Sequence, residues 1–293
     1  MKNSFIKSNN KLIKAGVIGF PISHSLSPII HNFYLKKFNI NGNYEAYEIP
    51  SENFEESIKN LVNKQQLSGF NITIPHKEKI YNLCSHLSKS AQITKAVNTV
   101  KIMEDGKFFG HNSDAHGFIK NLYNQCPNYQ LSNKKCLLIG AGGASRAIVY
   151  GLILEKVSKI YITNRNADKA LKLIDDFKFL SQKNLVELEF VPFENNFDFL
   201  NKIDLIINSS SLGMINHPSL DINISNAKKT AIVYDIVYKP LITDILKQAQ
   251  SLNLHIVTGI GMLIEQALVG FELWFKTKPE FDSELEKILL KNC

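Results

Sequence analysis

The sequence predicts an α/β protein of two domains, and three observations indicate this fold class. Short apolar segments of strand length alternate with helical segments along most of the chain, which is typical of a largely parallel sheet. A glycine-rich turn at residues 140–146 opens a second series of such segments near mid-chain. The length of 293 residues suits one large domain or two of ordinary size. We therefore expect two successive α/β units.

The first unit is expected to contain a mainly parallel sheet, because its strands and helices alternate. Strands are predicted at residues 15–19, 44–49, 70–74, 97–102 and 108–110. Helices are predicted at residues 28–38, 54–62 and 75–84.

A helix over residues 114–123 is predicted to link the first unit to the second. The second unit is expected to contain strands at residues 136–139, 159–163, 187–191, 205–208, 231–236 and 254–258, with helices at 144–156, 168–177 and 244–251. The last predicted helices, at 262–275 and 283–290, have one apolar face and are expected to pack back on the first unit. The predicted domains are residues 1–113, completed by about 260–293, and residues 114–259, with a ligand cleft between them.

The glycine-rich turn predicts a dinucleotide site. An apolar strand leads into the turn and an Ala/Ile/Leu-rich helix follows it. Glycines let the backbone approach a pyrophosphate, and the N–H groups of the helix N-terminus point at it. The second unit is therefore predicted to be a doubly wound, Rossmann-type domain. Ser145 occupies the place of the third glycine in the strict pattern, and a plain strand–helix turn is the alternative.

The residues after the next predicted strand indicate which dinucleotide binds. Asn164 and Arg165 stand where an acidic residue would accept hydrogen bonds from a free ribose 2′-hydroxyl. An arginine instead attracts a 2′-phosphate, and Lys169 follows four residues later. This pattern favours NADP, and an ordinary solvated loop is the alternative.

Composition excludes several classes of protein. The sequence is 44% hydrophobic and 21% charged, as in globular proteins, and has no apolar run near the roughly 18 residues of a membrane span. Residues 1–14 are polar, and the four cysteines lack CxxC spacing. We expect reduced thiols in a cytoplasmic protein with no metal site and no membrane contact.

The net charge of +7 allows nucleic-acid binding, but there is no basic run of five or more residues. We interpret the charge as compositional bias together with a site for anionic ligands. The charge also allows a non-enzymatic NADPH sensor or nucleic-acid-binding protein, but such a protein would have no reason to retain Lys77 and Asp114 together.

Hydride chemistry at a carbonyl also needs a proton donor, which the first unit must supply. Lys77 is the candidate, because it falls in the first turn of a predicted helix, where the helix dipole disfavours its positive charge. Asp114, at the next helix start, is a candidate partner for Lys77 or else a simple cap.

A hydroxyl-rich turn before residue 28 is a candidate carboxylate site. Ser27 precedes Pro28, so it has the sequence of an N-cap, but hydroxyls at a helix N-terminus also bind anions. The nearby His24 and His31 are candidate bases, although isolated histidines are more often structural.

Taken together, several motifs resemble the shikimate dehydrogenase family. The sequence Ser-Leu-Ser-Pro at 25–28 is followed by Asn-Ile-Thr-Ile-Pro-His-Lys at 71–77, Ala-Val-Asn-Thr at 96–99 and Asn-Ser-Asp at 112–114. The glycine-rich turn, Asn164-Arg165 and Gly-Ile-Gly-Met-Leu at 259–263 complete the series.

The resemblance implies an enzyme that reduces 3-dehydroshikimate to shikimate with NADPH, acting as a monomer or homodimer. It implies Lys77 as the acid–base residue, assisted by Asp114. The implied substrate-binding residues are Ser25, Ser27, Asn71, Thr73, Lys77, Asn98, Asp114, Tyr238 and Gln266. The implied cofactor-binding residues are Gly140, Ala141, Gly142, Gly143, Ala144, Ser145, Asn164, Arg165, Lys169, Ile236 and Gly259. A quinate/shikimate dehydrogenase with relaxed substrate or cofactor choice is the alternative.

Overall fold

The computed structural model describes residues 12–194 and 197–293, and within this range the strands form two six-stranded sheets. The first sheet and its helices make up the first unit. Its elements are, in chain order, β1 (Ile13–Gly19), α1 (Ser27–Lys37), β2 (Gly42–Glu48), α2 (Phe54–Gln65), β3 (Gly69–Ile72), α3 (Lys77–Tyr81), β4 (His86–Leu87), α4 (Lys89–Thr94), β5 (Thr99–Ile102) and β6 (Phe108–His111).

The first sheet is mixed, with strand order β2-β1-β3-β5-β6-β4. Strands β1, β2 and β3 are parallel, as predicted, and β4 is parallel to β6. Strand β5 runs antiparallel to both β3 and β6, which the sequence analysis did not anticipate. The turn at Gly106, which has a φ of +78°, explains the antiparallel pairing of β5 with β6. The pairing of β5 with β3 is antiparallel because the chain enters β5 at the end of the sheet where it leaves β3, and there the Ile72 N–H donates to the Asn98 carbonyl at 2.8 Å.

Two predicted helix boundaries in this unit are wrong. The helix predicted over residues 75–84 is the five-residue α3, which begins two residues after Pro75. Ser27 is the first residue of α1 and Leu26 is the N-cap residue, so Ser27 is not the predicted N-cap. Helix α4, missed by the sequence analysis, is too short for a periodic apolar pattern, and the Ser88 hydroxyl caps it by accepting from the Ala91 N–H.

The second unit contains the other sheet, with strand order β12-β11-β10-β7-β8-β9 and every strand parallel to its neighbours. This confirms the predicted Rossmann-like domain. After the connecting helix α5 (Asp114–Gln125), its elements are β7 (Lys135–Ile139), α6 (Gly143–Leu154), β8 (Lys159–Thr163), α7 (Ala167–Lys183), β9 (Glu187–Phe190), a 3₁₀ turn (Leu200–Lys202), β10 (Leu205–Asn208), β11 (Ile232–Asp235), α8 (Asp244–Ser251) and β12 (His255–Val257).

The last two helices, α9 (Ile260–Phe275) and α10 (Ser283–Leu290), pack on the first unit, as predicted from their apolar faces. The indole of Trp274 donates to the carbonyl of Val100 in β5 at 2.9 Å, and the Tyr34 hydroxyl donates to the Glu280 carbonyl at 2.7 Å. The chain thus leaves the second unit after β12 and completes the core of the first.

No helix in the described part of the chain is long and apolar enough to cross a membrane. Cys84, Cys126, Cys136 and Cys293 are free thiols, in agreement with the sequence analysis.

His31 of α1 is fully buried in an aromatic cluster beneath the first sheet. Its ring stacks on Tyr44 at a centroid distance of 4.0 Å and on Phe271 at 6.0 Å. Burial lowers its pKa to about 3, against a smaller opposing effect of the nearby Asn71 side chain. A histidine kept neutral in this way has the structural role that the sequence analysis treated as the usual one.

Replacing His31 by phenylalanine is expected to change the pH dependence of stability. Between pH 3 and the ordinary value of 6.5, the unfolded chain binds a proton at His31 that the folded chain does not. His31 therefore lowers the free energy of unfolding as pH falls, by up to about 1.4 kcal/mol per pH unit. Urea denaturation at pH values from about 7 to 4 should show that the free energy of unfolding falls less steeply with decreasing pH in His31→Phe than in wild type.

Asp235 titrates with the opposite sign, because burial raises its pKa to about 6 despite its hydrogen bonds to Thr243, Val237 and Asn208. Its contribution is common to both proteins and cancels from their difference. His255→Phe, at an exposed position, controls for the added aromatic ring. Equal pH slopes in wild type and His31→Phe would contradict the prediction.

Candidate active site

Lys77 and Asp114 form an ion pair at the mouth of the cleft between the two units. The Lys77 Nζ lies 2.5 Å from Asp114 Oδ2, and the two side chains are 16% and 5% exposed. Lys77 is the first residue of α3 and Asp114 the first residue of α5. The structure therefore brings together the two residues that the sequence analysis paired.

Asn98, just before β5, organises this pair. Its Nδ2 donates to Asp114 Oδ1 at 2.8 Å and to Ser113 Oγ at 3.0 Å. Its Oδ1 accepts from the Thr99 hydroxyl at 2.9 Å. Asp114 thus receives hydrogen bonds on both oxygens, from Lys77 and from Asn98, which compensates for burial of its charge.

Gln266 of α9 closes the network from the opposite side. Asn98 Nδ2 lies 3.3 Å from its Oε1, and the Ser113 hydroxyl donates to its backbone carbonyl at 3.0 Å. The Gln266 side chain is half-buried, and its amide nitrogen donates to the Leu263 carbonyl at 2.8 Å. The returning helix therefore reaches the Lys77–Asp114 network, and the substrate-binding role of Gln266 stays a prediction.

Asn71 lies below these residues with its hydrogen-bonding groups already engaged. Its two amide hydrogens have partners in the Asn98 carbonyl at 3.0 Å and the Thr99 hydroxyl at 3.1 Å. Its Oδ1 accepts from the Tyr44 hydroxyl at 2.6 Å. Because an amide has only two N–H donors, Asn71 is equipped to support Asn98 more than to donate to a ligand.

The predicted carboxylate site lies on the loop between β1 and α1. Ser25 is half-buried, Ser27 is buried, and the Ser27 N–H donates to the Ser25 hydroxyl at 3.3 Å. The loop joins the Lys77 segment, since the Phe20 N–H donates to the Ile74 carbonyl at 3.0 Å. Thr73 packs against Gly19, where a Cβ would lie 2.5 Å from the threonine methyl group.

Tyr238, Ile236 and Gly259 lie where the second unit meets the first. Tyr238 packs against the core of the first unit, and burial raises its pKa to about 12. Gly259 contacts Ile236 so closely that a Cβ would lie 2.2 Å from the Ile236 carbonyl oxygen. Glycine is needed here for this close approach.

The glycine-rich turn between β7 and α6 has the form expected of an anion site. Gly140 has a φ of +117°, and its N–H donates to the Thr163 carbonyl at 2.8 Å. Gly142 is exposed, and a Cβ on it would meet no atom within 4 Å. Open space in front of the backbone is what a bound pyrophosphate requires.

Ser145 supports this turn from below. It is buried, its hydroxyl accepts from the Gly142 N–H at 3.0 Å, and it lies 2.8 Å from the Ser209 hydroxyl. Ser145, which occupies the place of the third glycine in the strict pattern, therefore stabilises the turn through a side-chain hydrogen bond. Neighbouring Ala141 and Ala144 are half-buried at the cleft.

Gly143, the first residue of α6, contacts the Lys77 side chain across the cleft. A Cβ on Gly143 would lie 3.1 Å from Lys77 Cβ and 3.8 Å from Ala96 Cβ. The glycine-rich turn of the second unit and the lysine of the first unit are therefore so close that a side chain at residue 143 would press on Lys77.

Asn164, Arg165 and Lys169 follow β8, which pairs with β7 so that Thr163 is opposite Ile139. This register places them beside the glycine-rich turn. Arg165 and Lys169 are exposed, so their cations face solvent where a phosphate can reach them.

Three residues of this arrangement were missed by the sequence analysis as site residues. Tyr44 and Ser113 hold Asn71 and Asn98, and Arg146 of α6 bonds to the carbonyl of Thr94 in the first unit. Arg146 lies within the glycine-rich motif, so its position could have indicated that it belongs to the site. Nothing in the local sequence marks Tyr44, which reaches Asn71 from a strand two places away in the sheet.

Family models match most of the chain. They are the shikimate dehydrogenase substrate binding domain over residues 17–100, shikimate / quinate 5-dehydrogenase over residues 122–260, and the shikimate 5′-dehydrogenase C-terminal domain over residues 259–283.

Curated relatives are similar over their whole length. The chain is 37% identical to the shikimate dehydrogenase (NADP(+)) of Paramagnetospirillum magneticum, covering 94% of this chain and 97% of the relative. It is 39% identical to that of Oceanobacillus iheyensis, covering 93% and 97%.

Solved structures share the two-domain architecture. Shikimate dehydrogenase from Aquifex aeolicus has a TM-score of 0.84 at 33% identity, covering 95% of this chain and 97% of that one. The Thermus thermophilus enzyme in complex with NADP(H) and shikimate has a TM-score of 0.82 at 30% identity, covering 96% and 100%. Quinate dehydrogenase from Corynebacterium glutamicum in complex with NAD is similar at 26% identity, with a TM-score of 0.83 and coverage of 96% and 100%. On this evidence, the chain belongs to the shikimate dehydrogenase family.

Proposed function

We propose that this protein is an NADP-dependent shikimate dehydrogenase that reversibly reduces 3-dehydroshikimate to shikimate, a step of aromatic amino acid biosynthesis. The single observation that supports this most is the contact between Gly143 of the dinucleotide turn and Lys77, which is itself paired with Asp114. A hydride donor held by the turn and a proton donor in the other unit would then meet at one carbonyl group.

Substrate binding is assigned to the polar residues around the ion pair. Ser25 and Ser27 would bind the carboxylate at the N-terminus of α1, where backbone N–H groups favour an anion. Thr73, Asn98, Asp114, Tyr238 and Gln266 would bind or border the ring hydroxyls, with Asn71 beneath them. A site built from such groups rejects analogues that lack a hydroxyl, because its own polar atoms would then be left unpaired.

The acid–base role is assigned to Lys77. When bound, NADPH supplies the hydride to the carbonyl carbon. The Lys77 ammonium would donate a proton to the carbonyl oxygen, and in the reverse direction its amine would accept the proton of the hydroxyl. Asp114, held by Asn98 at 2.8 Å, would orient the lysine and accept a hydrogen bond from the substrate.

Residues of the second unit fit the pyrophosphate, the 2′-phosphate and the nicotinamide of NADP. The open face of Gly142 suits the pyrophosphate, and Gly140 through Ala144 shape the turn, with Ser145 beneath it. Asn164, Arg165 and Lys169 would bind the 2′-phosphate, since guanidinium and ammonium groups attract it and an acidic residue is absent at 164–165. Ile236 and Gly259 would border the nicotinamide.

A spectrophotometric assay tests the proposed activity. It crosses shikimate and quinate with NADP and NAD and follows nicotinamide absorbance. Shikimate with NADP should give the highest kcat/KM by a wide margin. A higher value with quinate, or equal values with NADP and NAD, would favour the quinate/shikimate alternative. The cytoplasmic location and the monomeric or dimeric state stay predictions, and solution scattering measures the latter.

Replacing Lys77 by alanine is expected to lower kcat by roughly 10² or more, because a general acid–base is lost. NADPH affinity, measured by fluorescence titration, should stay nearly constant, since the side chain is not assigned to the cofactor.

The matched control is Lys79→Ala, which removes a lysine of the same helix whose Nζ bonds only to the Ser51 carbonyl among the described residues. Turnover of Lys77→Ala within about threefold of wild type would place the acid–base role on another residue.

Replacing Arg165 by alanine is expected to lower kcat/KM for NADPH by about tenfold or more, the usual effect of losing a charge-assisted hydrogen bond. The value for NADH should hardly change, because that cofactor lacks the 2′-phosphate. Lys172→Ala, at an exposed position on α7, is the control. An equal loss with both cofactors would contradict the assignment of Arg165.

A further inference from the structure

A second set of charges joins the two units, one helical turn away from the active-site contact. Asp176 of α7 accepts a hydrogen bond from Arg146 Nη2 at 2.7 Å and forms an ion pair with Lys95 through its other oxygen. Arg146 also donates through Nε to the carbonyl of Thr94. We call Lys95, Arg146 and Asp176 the interdomain clamp, since Lys95 ends α4 of the first unit and the other two lie in the second.

Two of the three clamp side chains are largely buried, and the third, Lys95, is 53% exposed. The side chains of Arg146 and Asp176 are only 5% and 10% exposed. The guanidinium lies 5.7 Å from the ring centroid of Phe177. Burial alone would raise the pKa of the Asp176 carboxyl, but the hydrogen bonds from Lys95 and Arg146 outweigh it and the pKa is lowered. A buried arginine needs such a partner for its charge.

Lys95 occupies a backbone position that disfavours it. Its φ is 48°, in the left-handed region at the C-cap of α4, where glycine is the usual residue. The local backbone therefore gives no reason for a lysine here. Its side chain forms the ion pair with Asp176 of the other unit.

The clamp connects directly to both sides of the active site. On the first unit, residues 96–98 follow Lys95, the Val97 N–H donates to the Lys77 carbonyl at 2.8 Å, and Asn98 binds Asp114. On the second unit, Arg146 lies three residues after Gly143, where an added Cβ would lie 3.1 Å from Lys77 Cβ. A shift at the clamp would therefore move the dinucleotide turn relative to the Lys77–Asp114 pair.

We propose that Asp176, acting through Lys95 and Arg146, is a positioning residue that sets the distance between the bound nicotinamide and the Lys77–Asp114 pair. This inference rests on the proposed function. Small misplacements of reacting groups have large effects on rate, so the clamp acts on the hydride-transfer step and leaves binding of NADPH by the second unit unchanged.

Lys95→Gly separates positioning from folding stability. Glycine relieves the left-handed backbone, so the thermal midpoint should not fall, while the ion pair is lost. The single-turnover rate of NADPH oxidation by 3-dehydroshikimate should fall by about threefold or more, with the dissociation constant of NADPH unchanged. The control is Lys156→Gly, at an exposed lysine with a φ of 55° that is in no ion pair among the described residues.

Asp176→Asn and Asp176→Glu form the second arm. The asparagine variant should lower the single-turnover rate more than Lys95→Gly, because Arg146 loses its charged partner too. The glutamate variant should restore part of the rate. In the ligand-free chain, Lys95→Gly should also speed amide hydrogen exchange across the cleft, at residues 143–147, while Lys156→Gly should not.

A single-turnover rate at the wild-type value in both Lys95→Gly and Asp176→Asn would overturn the proposal. So would unchanged exchange at residues 143–147 in Lys95→Gly. Failure of the proposed function is distinguishable, because wild-type protein would then show no turnover of 3-dehydroshikimate at all.

Discussion

The carboxylate of Asp114 is the group on which the arrangement of the site depends. It is nearly buried, so its charge requires partners, and it has one for each oxygen: Lys77 at 2.5 Å and Asn98 at 2.8 Å. Because these partners come from different segments of the first unit, one carboxylate fixes the position of α5, the start of α3 and the start of β5 together. Gln266 adds the returning helix α9 through its contact with Asn98.

The fold brings these segments together for simple reasons. Strands β3 and β5 are neighbours, and β5 pairs with β6, so the residues that flank them converge at one edge of the sheet. Asn71 links two of these strands, since it is engaged by Tyr44, Asn98 and Thr99. The polar layer beneath the site is thus satisfied within the protein.

The second unit contributes through contact. Gly143 lies against Lys77 because it has no side chain, and a methyl group there would press on the lysine stem at 3.1 Å. In the usual fingerprint this position carries no required glycine. Its glycine is explained by the other unit, because Lys77 leaves little room for a side chain there.

The parts of the fold that depend on local sequence could be predicted. The strand, glycine turn and helix around residues 136–154 and the apolar face of α9 belong to this class, as does the position of Lys77 after a strand. The antiparallel strand β5 could not, because its direction depends on where residues 73–98 return to the sheet, and its pairing with β6 depends on a turn at Gly106 that resembles any surface loop. Helix α4 was too short to show a period.

Most residues of the candidate site could be predicted from the sequence, but the contacts between them could not. The family motifs indicated Asn71 and Asn98 together as site residues. Long-range contacts show that Asn71 supports Asn98, whereas Asn98 connects several other residues of the site. Tyr44 and Asp176 are distant in sequence from the residues they hold, so no local pattern marks them.

The most direct test of the account is a crystal structure of the protein with shikimate and NADP⁺ bound. We expect the Lys77 Nζ to lie about 2.6–3.2 Å from the substrate oxygen that becomes the carbonyl, with Asp114 bonded to the lysine and the nicotinamide facing the carbon that carries this oxygen. A complex in which a different side chain bonds that oxygen, and Lys77 points away from it, would contradict the account.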